Sequence, residues 1–227
     1  MFNFMSLKKA FTLSEVLIAM TVLGVIAAIT VPSLINTYND RMFVSAMKKN
    51  YSILSNAFLL ARNFEYNDFE DWSHVDSDVE EIYKNYKYIK KYLYVIRECK
   101  NEEGCWSKEI TKAYNRETAE SASEKGIGNE IVTFTLNDGT NVCLDYWSQA
   151  DTITYFGVSN NLLDSPLSVI VDVNGDKAPN TLGRDVFAFV LTKNGLVPGG
   201  ADNNSVNCKN KGVNYNYDCA AKYIKEY

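Results

Sequence analysis

Apolar residues recur along this chain with different spacings, and each spacing predicts a different element. Residues 16–35 carry no charged side chain, and about twenty apolar residues are what a membrane-spanning helix requires. Further along, apolar residues recur every three or four positions, as on one face of a helix: Phe43, Met47, Tyr51, Leu54, Phe58 and Ala61. The pattern predicts one long helix from Phe11 to about Arg62, whose second half packs on a folded head domain.

A second amphipathic pattern follows an acidic segment. Residues 65–81 hold eight acidic side chains and no Lys or Arg, which predicts a solvated loop. Apolar residues then return at helical spacing with basic residues between them: Ile82, Tyr86, Ile89, Leu93 and Ile96. This pattern predicts a shorter helix over 82–97, inside a variable helical and loop region that extends from 63 to 130.

From residue 131 the apolar period changes to two, which is the period of a β-strand. Residues 132–136 alternate between apolar and polar, a turn follows at 137–140, and 142–147 returns, so a hairpin is predicted. Further strand candidates are residues 152–158, 168–173 and 185–192. The expected fold class is α+β, with an antiparallel sheet over 131–194 laid on the long helix and an irregular C-terminal flap over 195–227.

Composition and charge narrow the classes of function. The chain has 227 residues, 46% of them hydrophobic and 22% charged, which predicts one globular head domain. Its formal charge is −5. Removal of a leader that contains Lys8 and Lys9 would leave 21 basic and 28 acidic residues. An acidic chain is a poor nucleic-acid binder. The Lys and Tyr residues of 82–97 could bind single-stranded nucleic acid. A solvated helix face is favoured over such a binding surface.

The sequence contains no pattern that indicates an enzyme. His74 is the single histidine and lies in the acidic segment, so a surface position is favoured over a catalytic one. The glycine-rich nucleotide-binding motifs and the nucleophile-elbow motif do not occur.

Five cysteines are many for a reduced compartment and favour an oxidising one, where disulfides persist. We expect Cys99 to pair with Cys105 and Cys208 with Cys219, because each pair closes a short loop. Cys143 falls on a predicted strand and is expected to be the buried odd thiol.

A candidate metal site lies at the end of a predicted strand. Asp172, Asn174 and Asp176 occupy positions i, i+2 and i+4, as the first ligands of an EF-hand-type calcium loop do. The match then ends, since position six is Lys177 instead of Gly and position twelve is Gly183 instead of Glu. The same residues are typical of an Asn-Gly turn that closes a strand. The turn is favoured, and calcium stays open as a cofactor.

The most specific pattern places a carboxylate at the start of the apolar run. Lys8 and Lys9 are followed by Ala10, by Phe11 and, four residues later, by Glu15. A charged group deep in a membrane costs roughly 2.5–3.5 kcal/mol, so it usually has a partner or a task. The block resembles the class III leader of type IV prepilins and type II secretion pseudopilins. In that family a short basic leader ends in a small residue, cleavage precedes Phe, and Glu is the fifth mature residue.

Some positions depart from the family pattern and one further position matches it. Ala10 stands where Gly is usual, and Ser14 stands where a larger apolar residue is frequent. Pro32 lies where the family commonly kinks its helix. A secretory signal peptide or a plain signal anchor would also be basic and then apolar. A signal-peptide core is about 7–15 residues long, which is shorter than this run, and neither alternative gives Glu15 a role.

The resemblance implies a processing and assembly route. Prepilin peptidase would remove the leader, residues 1–10, by cutting between Ala10 and Phe11, and Phe11 would be N-methylated. Residues 11–35 would form the membrane and assembly half of the long helix, in which Glu15 and Pro32 serve assembly, and 36–62 its amphipathic half. The chain would cross the inner membrane once with its head exported, and end in a periplasmic pseudopilus or an extracellular pilus.

The implied function is that of a structural subunit of a type II secretion pseudopilus or a type IV pilus. The implied partners are other pilin or pseudopilin subunits, prepilin peptidase and the inner-membrane assembly platform. Two other classes stay open. One is a minor or tip pilin whose head binds DNA, a secreted substrate or a surface, and subunit abundance distinguishes it. The other is a signal-anchored binding protein, which a mature N-terminus at Phe11 would exclude.

Overall fold

The computed structural model describes residues 11–65, 69–72, 78–202 and 205–225. The chain divides into two compact units, Met1–Arg41 and Met42–Tyr227, here named the N-terminal unit and the head unit. Helix α1 (Leu13–Phe64, 52 residues) begins in the first unit and ends in the second.

The described part of the N-terminal unit is apolar and exposed. Exposed fractions of its large side chains reach 86% at Phe11 and 71% at Leu34. Threonine hydroxyls on this segment donate to the carbonyl four residues earlier, as Thr21 does to Leu17 (2.8 Å) and Thr30 to Ile26 (2.9 Å). In hydrocarbon every polar group must be satisfied internally. These threonines therefore suit a helix that lies in lipid.

The head unit continues with short helices and strands. After α1 comes a 3₁₀ turn, Phe69–Trp72, and helix α2 (Val79–Lys90). The strands are β1 (Val95–Lys100), β2 (Val132–Leu136), β3 (Asn141–Tyr146), β4 (Leu167–Asp172), β5 (Val186–Thr192) and β6 (Gly195–Pro198). Between β3 and β4 lie α3 (Gln149–Asp151) and a π-helical turn, Thr152–Phe156. A 3₁₀ turn, Tyr217–Cys219, leads into α4 (Ala220–Lys225).

The strands of the described residues form one six-stranded sheet in the order β1-β2-β3-β4-β5-β6. Every neighbouring pair is antiparallel. The α+β fold class expected from the sequence is therefore confirmed: a long N-terminal apolar helix and an antiparallel sheet, as in a type IV pilin-like fold.

Both faces of strands β2 to β5 are buried, and successive residues of a strand alternate between them. On one face Val169 and Val171 join the core formed with α1 and α2. On the other face Ile170 joins a second core with Trp106, from a loop, and Phe156, from the π-helical turn. The second face is thus covered by loops and short helical turns instead of by a long helix.

The apolar stripe of α1 within the head unit contacts the sheet as its spacing predicts. Leu54, Phe58 and Ala61 have no exposed surface. Tyr51 stacks on Phe189 of β5 with a ring-centroid distance of 5.2 Å, and its hydroxyl donates to the Leu196 carbonyl (3.0 Å). This side of α1 is therefore held against β5 and β6 by apolar and polar contacts.

The predicted helix over 82–97 is wrong in its second half. Helix α2 ends at Lys90, and β1 begins at Val95 and pairs with β2. Ile82 and Ile89 are buried as predicted, but Ile96 is 67% exposed on the edge strand. Its helical spacing was therefore a coincidence, and pairing with β2 decided the conformation.

The strand predicted at 152–158 is also wrong, because the residues form a helical segment. The Ser148 hydroxyl accepts a hydrogen bond from the Asp151 amide (3.0 Å) and caps the start of α3. Gly157, at φ +62°, ends the following π-helical turn. The sheet also extends beyond the predicted range 131–194, since β1 precedes it and β6 follows it.

We expect Phe58→Ala to lower the free energy of unfolding of the head unit by about 3–5 kcal/mol, because a fully buried aromatic side chain leaves a cavity. Urea unfolding of the full chain in detergent, followed by tryptophan fluorescence, measures the change. The matched control is Ser52→Ala on the exposed side of the same helix, which should change stability by less than about 0.5 kcal/mol. Equal stability of the two variants would contradict the packing described above.

Candidate functional site

The first turn of α1 holds the Glu15 carboxylate in a reciprocal capping arrangement with Thr12. The Thr12 amide and hydroxyl donate to Glu15 Oε2 at 2.8 and 2.7 Å. The Glu15 amide donates to Thr12 Oγ1 at 3.3 Å. This is the geometry of a capping box, in which each residue satisfies a backbone donor that the helix leaves unpaired. The carboxylate also lies at the positive end of the helix dipole.

Sequence reasoning identified Glu15 and missed Thr12 as its partner. The signal was present, because Thr12-Leu13-Ser14-Glu15 has the spacing of a capping box ahead of an apolar run. The arrangement shows how one chain satisfies Glu15 by local hydrogen bonds.

The predicted cleavage site is only partly covered by the structure. Ala10 lies outside the described residues. Phe11 is described and is 86% exposed.

The helix that follows Glu15 has apolar side chains on all its sides. By length and composition α1 can cross a membrane, and none of its most apolar window is buried. A helix that is apolar all round is suited to lipid or to the interior of a bundle. Pro32 lies inside this helix, where it lacks the amide that would otherwise donate to the carbonyl of Ala28. The predicted bend at Pro32 stays a prediction.

Two disulfides lie in the described part of the head unit. Cys99 of β1 is joined to Cys105, with a Cα–Cα distance of 5.8 Å. Cys208 is joined to Cys219, the last residue of the 3₁₀ turn before α4, with a Cα–Cα distance of 4.7 Å. These are the pairs that the short sequence separations favoured. Cys143 lies on β3 and is fully buried as a thiol.

Burial raises the pKa of the Cys143 thiol well above its usual range. The sulfur also takes part in hydrogen bonds with the backbone of Ile127, donating to its carbonyl (3.4 Å) and accepting from its amide (3.5 Å). The thiol is therefore packed as a core side chain and is not activated as a nucleophile.

The residues of the predicted calcium loop do not face one another as a set. Asp172 is buried and its Oδ1 accepts from the Asn174 amide (3.2 Å), which closes an Asx turn. Asp176 points elsewhere: Oδ1 accepts from Asn141 (3.0 Å) and Oδ2 pairs with Arg97 (3.3 Å). The turn geometry agrees with the interpretation that the sequence favoured. A calcium site built on these three side chains stays a prediction.

Sequence reasoning assigned no role to two polar residues of the same loop, Asn180 and Asp185. Both are buried, and Asp185 accepts from the backbone amides of Asn180 (2.8 Å) and Thr181 (2.7 Å). Burial raises the pKa of Asp185, while these amides oppose the rise. Burial, and then repulsion by Asp185, raise the pKa of Asp172 well above its usual range.

Most basic residues around α2 form ion pairs with acidic ones. Lys90 donates to Glu98 (2.6 Å), and this bond, followed by one from Tyr86, lowers the pKa of Glu98. Lys91 pairs with Glu65 in the same way, and its bond lowers the pKa of Glu65. These ion pairs support a solvated helix face over a surface that binds single-stranded nucleic acid.

Two further expectations concern the surface position of His74 and metal binding. His74 lies outside the described residues. Across the ranges that are described, no group of three His, Cys, Asp or Glu side chains is placed to hold a metal ion.

Comparisons with known proteins gave two family matches. A model described as a prokaryotic N-terminal methylation motif matches residues 5–31. A model described as a family of unknown function (DUF6613) matches residues 33–226. Neither the curated proteins nor the solved structures gave a match. The methylation motif confirms that the N-terminus is a class III leader of the type IV prepilin and pseudopilin kind.

We expect Cys143 to resist alkylation in the native chain and to react only after unfolding, because the thiol is buried and its pKa is raised. Iodoacetamide labelling with non-reducing peptide mapping measures this. Unfolding in denaturant without reductant is the control, and it should label Cys143 alone. A disulfide between Cys143 and any other cysteine, or rapid labelling of the native thiol, would contradict the structure.

Proposed function

We propose that this chain, which belongs to a family of unknown function (DUF6613) and carries a prokaryotic N-terminal methylation motif, is a pilin-like structural subunit that assembles into a type II secretion pseudopilus or a type IV pilus. The observation that carries the proposal is the match of residues 5–31 to the motif. The exposed apolar helix and the sheet of the head unit agree with it.

The first step of the proposed route is processing. Prepilin peptidase cuts between Ala10 and Phe11, which removes both lysines of the leader and creates a new α-amino group on Phe11. That amine is then methylated. In the mature chain the cation lies at the first residue and Glu15 at the fifth, one helical turn away.

Assembly then uses the apolar side chains of the N-terminal unit and the two charged groups near its start. Its apolar side chains leave lipid and pack against the same helices of neighbouring subunits. Within such a bundle the amine of one Phe11 approaches the Glu15 carboxylate of a neighbour, because an unpaired charge in a low-dielectric environment is strongly disfavoured. The pair fixes the axial register of the incoming subunit.

The capping arrangement shows what the incoming amine would add to the environment of the Glu15 carboxylate. Before assembly the carboxylate is satisfied by Thr12. Its hydrogen bonds are local and leave its negative charge uncompensated. An approaching cation adds the charge compensation that the threonine cannot supply.

The proposed location is the inner membrane, with a single span and the head exported. The disulfides Cys99–Cys105 and Cys208–Cys219 support an oxidising compartment for the head. The proposed partners are other pilin or pseudopilin subunits, prepilin peptidase and the inner-membrane assembly platform.

We expect Phe11→Asp to block processing or impair it severely, because the new charge lies beside the scissile bond. Mass spectrometry of the chain expressed with an active prepilin peptidase measures the fraction that begins at residue 11. Ala10→Gly is the matched control and should be cut at least as well as the parent chain, because Gly is the usual residue of the family there. An uncut parent chain would contradict the proposed route.

We expect Glu15→Gln to leave expression, membrane insertion and cleavage largely intact while assembly fails. The amide keeps the size of the side chain and an oxygen that accepts from Thr12, but it removes the charge. A sheared-filament or pseudopilus assay measures the loss, and mass spectrometry of the mature N-terminus verifies cleavage.

The control for this experiment is Thr12→Ala, which removes the hydroxyl partner and keeps the Glu15 charge. Loss of a cap costs about 0.5–2 kcal/mol of helix stability, so assembly should be reduced less than in Glu15→Gln. Normal filaments from Glu15→Gln subunits would contradict the charge pair. A stronger defect in Thr12→Ala would assign the effect to capping instead.

A further inference from the structure

A cavity of about 230 Å³ lies on the second face of the sheet, beside the end of β3. Its walls come from three segments: the loop at 120–129 before β2, residues 145–148 at the end of β3, and the stretch of α3 and the π-helical turn. One water molecule takes up about 30 Å³ in the liquid, so the cavity has room for about seven or eight non-hydrogen atoms. That is the size of a small ligand or of one long side chain.

The charged side chains that line the cavity are all acidic: Glu120, Asp145 and Asp151. No Lys, Arg or His occurs among the described lining residues. Neither Glu120 nor Asp151 forms an ion pair within the described ranges. Charges of one sign in a cleft with low-dielectric walls focus the electric field and raise the local concentration of the opposite charge. The cavity therefore attracts cations.

Asp145 is the most deeply buried of these carboxylates and is held by the backbone of the loop at 120–129. It is 4% exposed, and its Oδ2 accepts from the Asn129 amide (3.3 Å). A Cβ atom at Gly128 would collide with this carboxylate, so only a glycine lets the backbone lie against it. The Gly128 amide in turn donates to the Ser121 carbonyl (2.9 Å). This acid is therefore fixed in position by the fold itself.

Two aromatic rings, those of Trp147 and Tyr155, line the cavity as well. Their centroids are 5.8 Å apart and their planes meet at 76°. Trp147 is also held edge-to-face against Phe156, with a centroid distance of 5.1 Å, and against Tyr217, at 6.2 Å. Aromatic faces attract cations through the ring quadrupole, and rings packed in this way lose little further freedom when a ligand binds. The aromatic and the acidic lining thus select the same kind of ligand.

The acidic and aromatic parts of the lining meet at Tyr155. Burial, and then the charges of Glu120 and Asp151, raise the pKa of Tyr155, so both carboxylates lie near its hydroxyl. Each carboxylate has a partner for one oxygen: Glu120 Oε2 accepts from Asn214 (2.9 Å) and Asp151 Oδ2 from Ser148 (2.7 Å). The second oxygen of each has no partner within the described ranges and can accept from a ligand.

The arrangement does not suit a single metal ion. Across the described residues no three His, Cys, Asp or Glu side chains are placed to coordinate one, so the carboxylates surround the cavity instead of converging on one point. A primary ammonium group does not need three anionic ligands, because neutral oxygens accept its hydrogen bonds as well. Its alkyl stem also packs on apolar and aromatic surface, as lysine stems do. A quaternary ammonium group has no N–H and would leave the carboxylates without donors.

We propose that the cavity binds a primary alkylammonium group, which donates to the lining carboxylates while its alkyl stem packs against Trp147 and Tyr155. A free amine and a lysine side chain of another protein supply the same chemistry, and the cavity has room for either. The site belongs to the folded head unit and does not rest on the assembly function proposed above.

The test is titration of the full chain, in an uncharged detergent, with n-butylamine by isothermal titration calorimetry and thermal unfolding. We expect one site with a Kd of about 10⁻⁴–10⁻³ M, which is within the range for a ligand of about five non-hydrogen atoms. The melting temperature should rise with the amine, because only the folded state binds it. The matched ligands are n-butanol and tetramethylammonium, and each should bind at least about tenfold more weakly than n-butylamine.

Glu120→Gln combined with Asp151→Asn removes two charges and keeps side-chain oxygens that accept from Asn214 and Ser148. We expect this double variant to raise the Kd for n-butylamine at least about tenfold. Glu117→Gln is the matched control, because it removes an exposed charge of the same connection outside the cavity, and it should change the Kd by less than about threefold.

Melting temperatures without amine verify that these variants are folded, and salt dependence gives a measurement that needs no variant. In the parent chain, binding should weaken as NaCl rises from about 0.05 to 0.5 M, because salt screens partly exposed charges. Binding that is independent of salt would contradict a site built on charge.

The source of the ammonium group is decided with a capped glycine-lysine-glycine tripeptide. A Kd no higher than that of n-butylamine indicates a lysine side chain of another protein, whereas binding of n-butylamine alone indicates a free amine; both results support the site. The absence of saturable heat and of a melting shift up to about 20 mM n-butylamine would overturn the proposal. So would equally tight binding of n-butanol or tetramethylammonium, or unchanged binding by the double variant.

Discussion

The folded part of this protein depends on the burial of one face of α1 against the sheet. Leu54 and Phe58 on this face are completely buried, and Tyr51 adds a stacking contact with Phe189 of β5. Asn50 is buried as well and donates to the Thr140 hydroxyl (3.0 Å) in the turn between β2 and β3. The helix therefore contacts strands from both halves of the sheet. A polar bond among these apolar contacts also selects one register, because a buried amide without a partner is costly.

The other face of the sheet shows how a small head compensates for having no second long helix there. Its cover consists of loops and short helical turns, which contribute Trp106, Phe156 and Tyr217 to a separate core. Phe156 and Tyr217 stack with ring centroids 4.9 Å apart. Such segments have no helical ladder, so turn hydrogen bonds and side-chain bonds satisfy their backbone groups, as Asn216 Oδ1 does for the Tyr114 amide (2.7 Å). This explains why polar residues such as Asn180 and Asn216 are buried on this side.

The sequence predicts those elements whose signals are local. The α1 stripe and the β2–β3 hairpin follow from spacing and from the turn residues Asn137 and Gly139 alone. Strand β1 could not be found in this way. Ile96 continues a helical spacing, and only pairing with β2, about 35 residues later along the chain, makes the segment a strand. Tertiary contacts overrode the local pattern there.

The candidate sites differ in the same way, because one depends on residues close in sequence and the other on residues far apart. Glu15 could be identified because it is a charged residue at the start of an apolar run, and its partner Thr12, although missed, is only three residues away. The group at Asp172 could not, because Asn180 contacts Ser107, which is 73 residues distant in sequence. The sequence indicated acidic residues at that turn, but it could not show which of them fold inward. Asp176 and Asp185 differ in that respect although both follow the same strand.

The order of the strands has a consequence for how the head forms after it leaves the membrane. Each strand pairs with the strand that directly precedes it in the chain, and the cysteines of each disulfide are 6 or 11 residues apart. A chain delivered from its N-terminus can therefore add each new strand to an edge that is already present. No strand has to wait for a later one to be inserted beside it. From β2 to β6 the connections have at most 20 residues, so loop-closure entropy delays these pairings little, whereas β1 and β2 are joined by a longer connection.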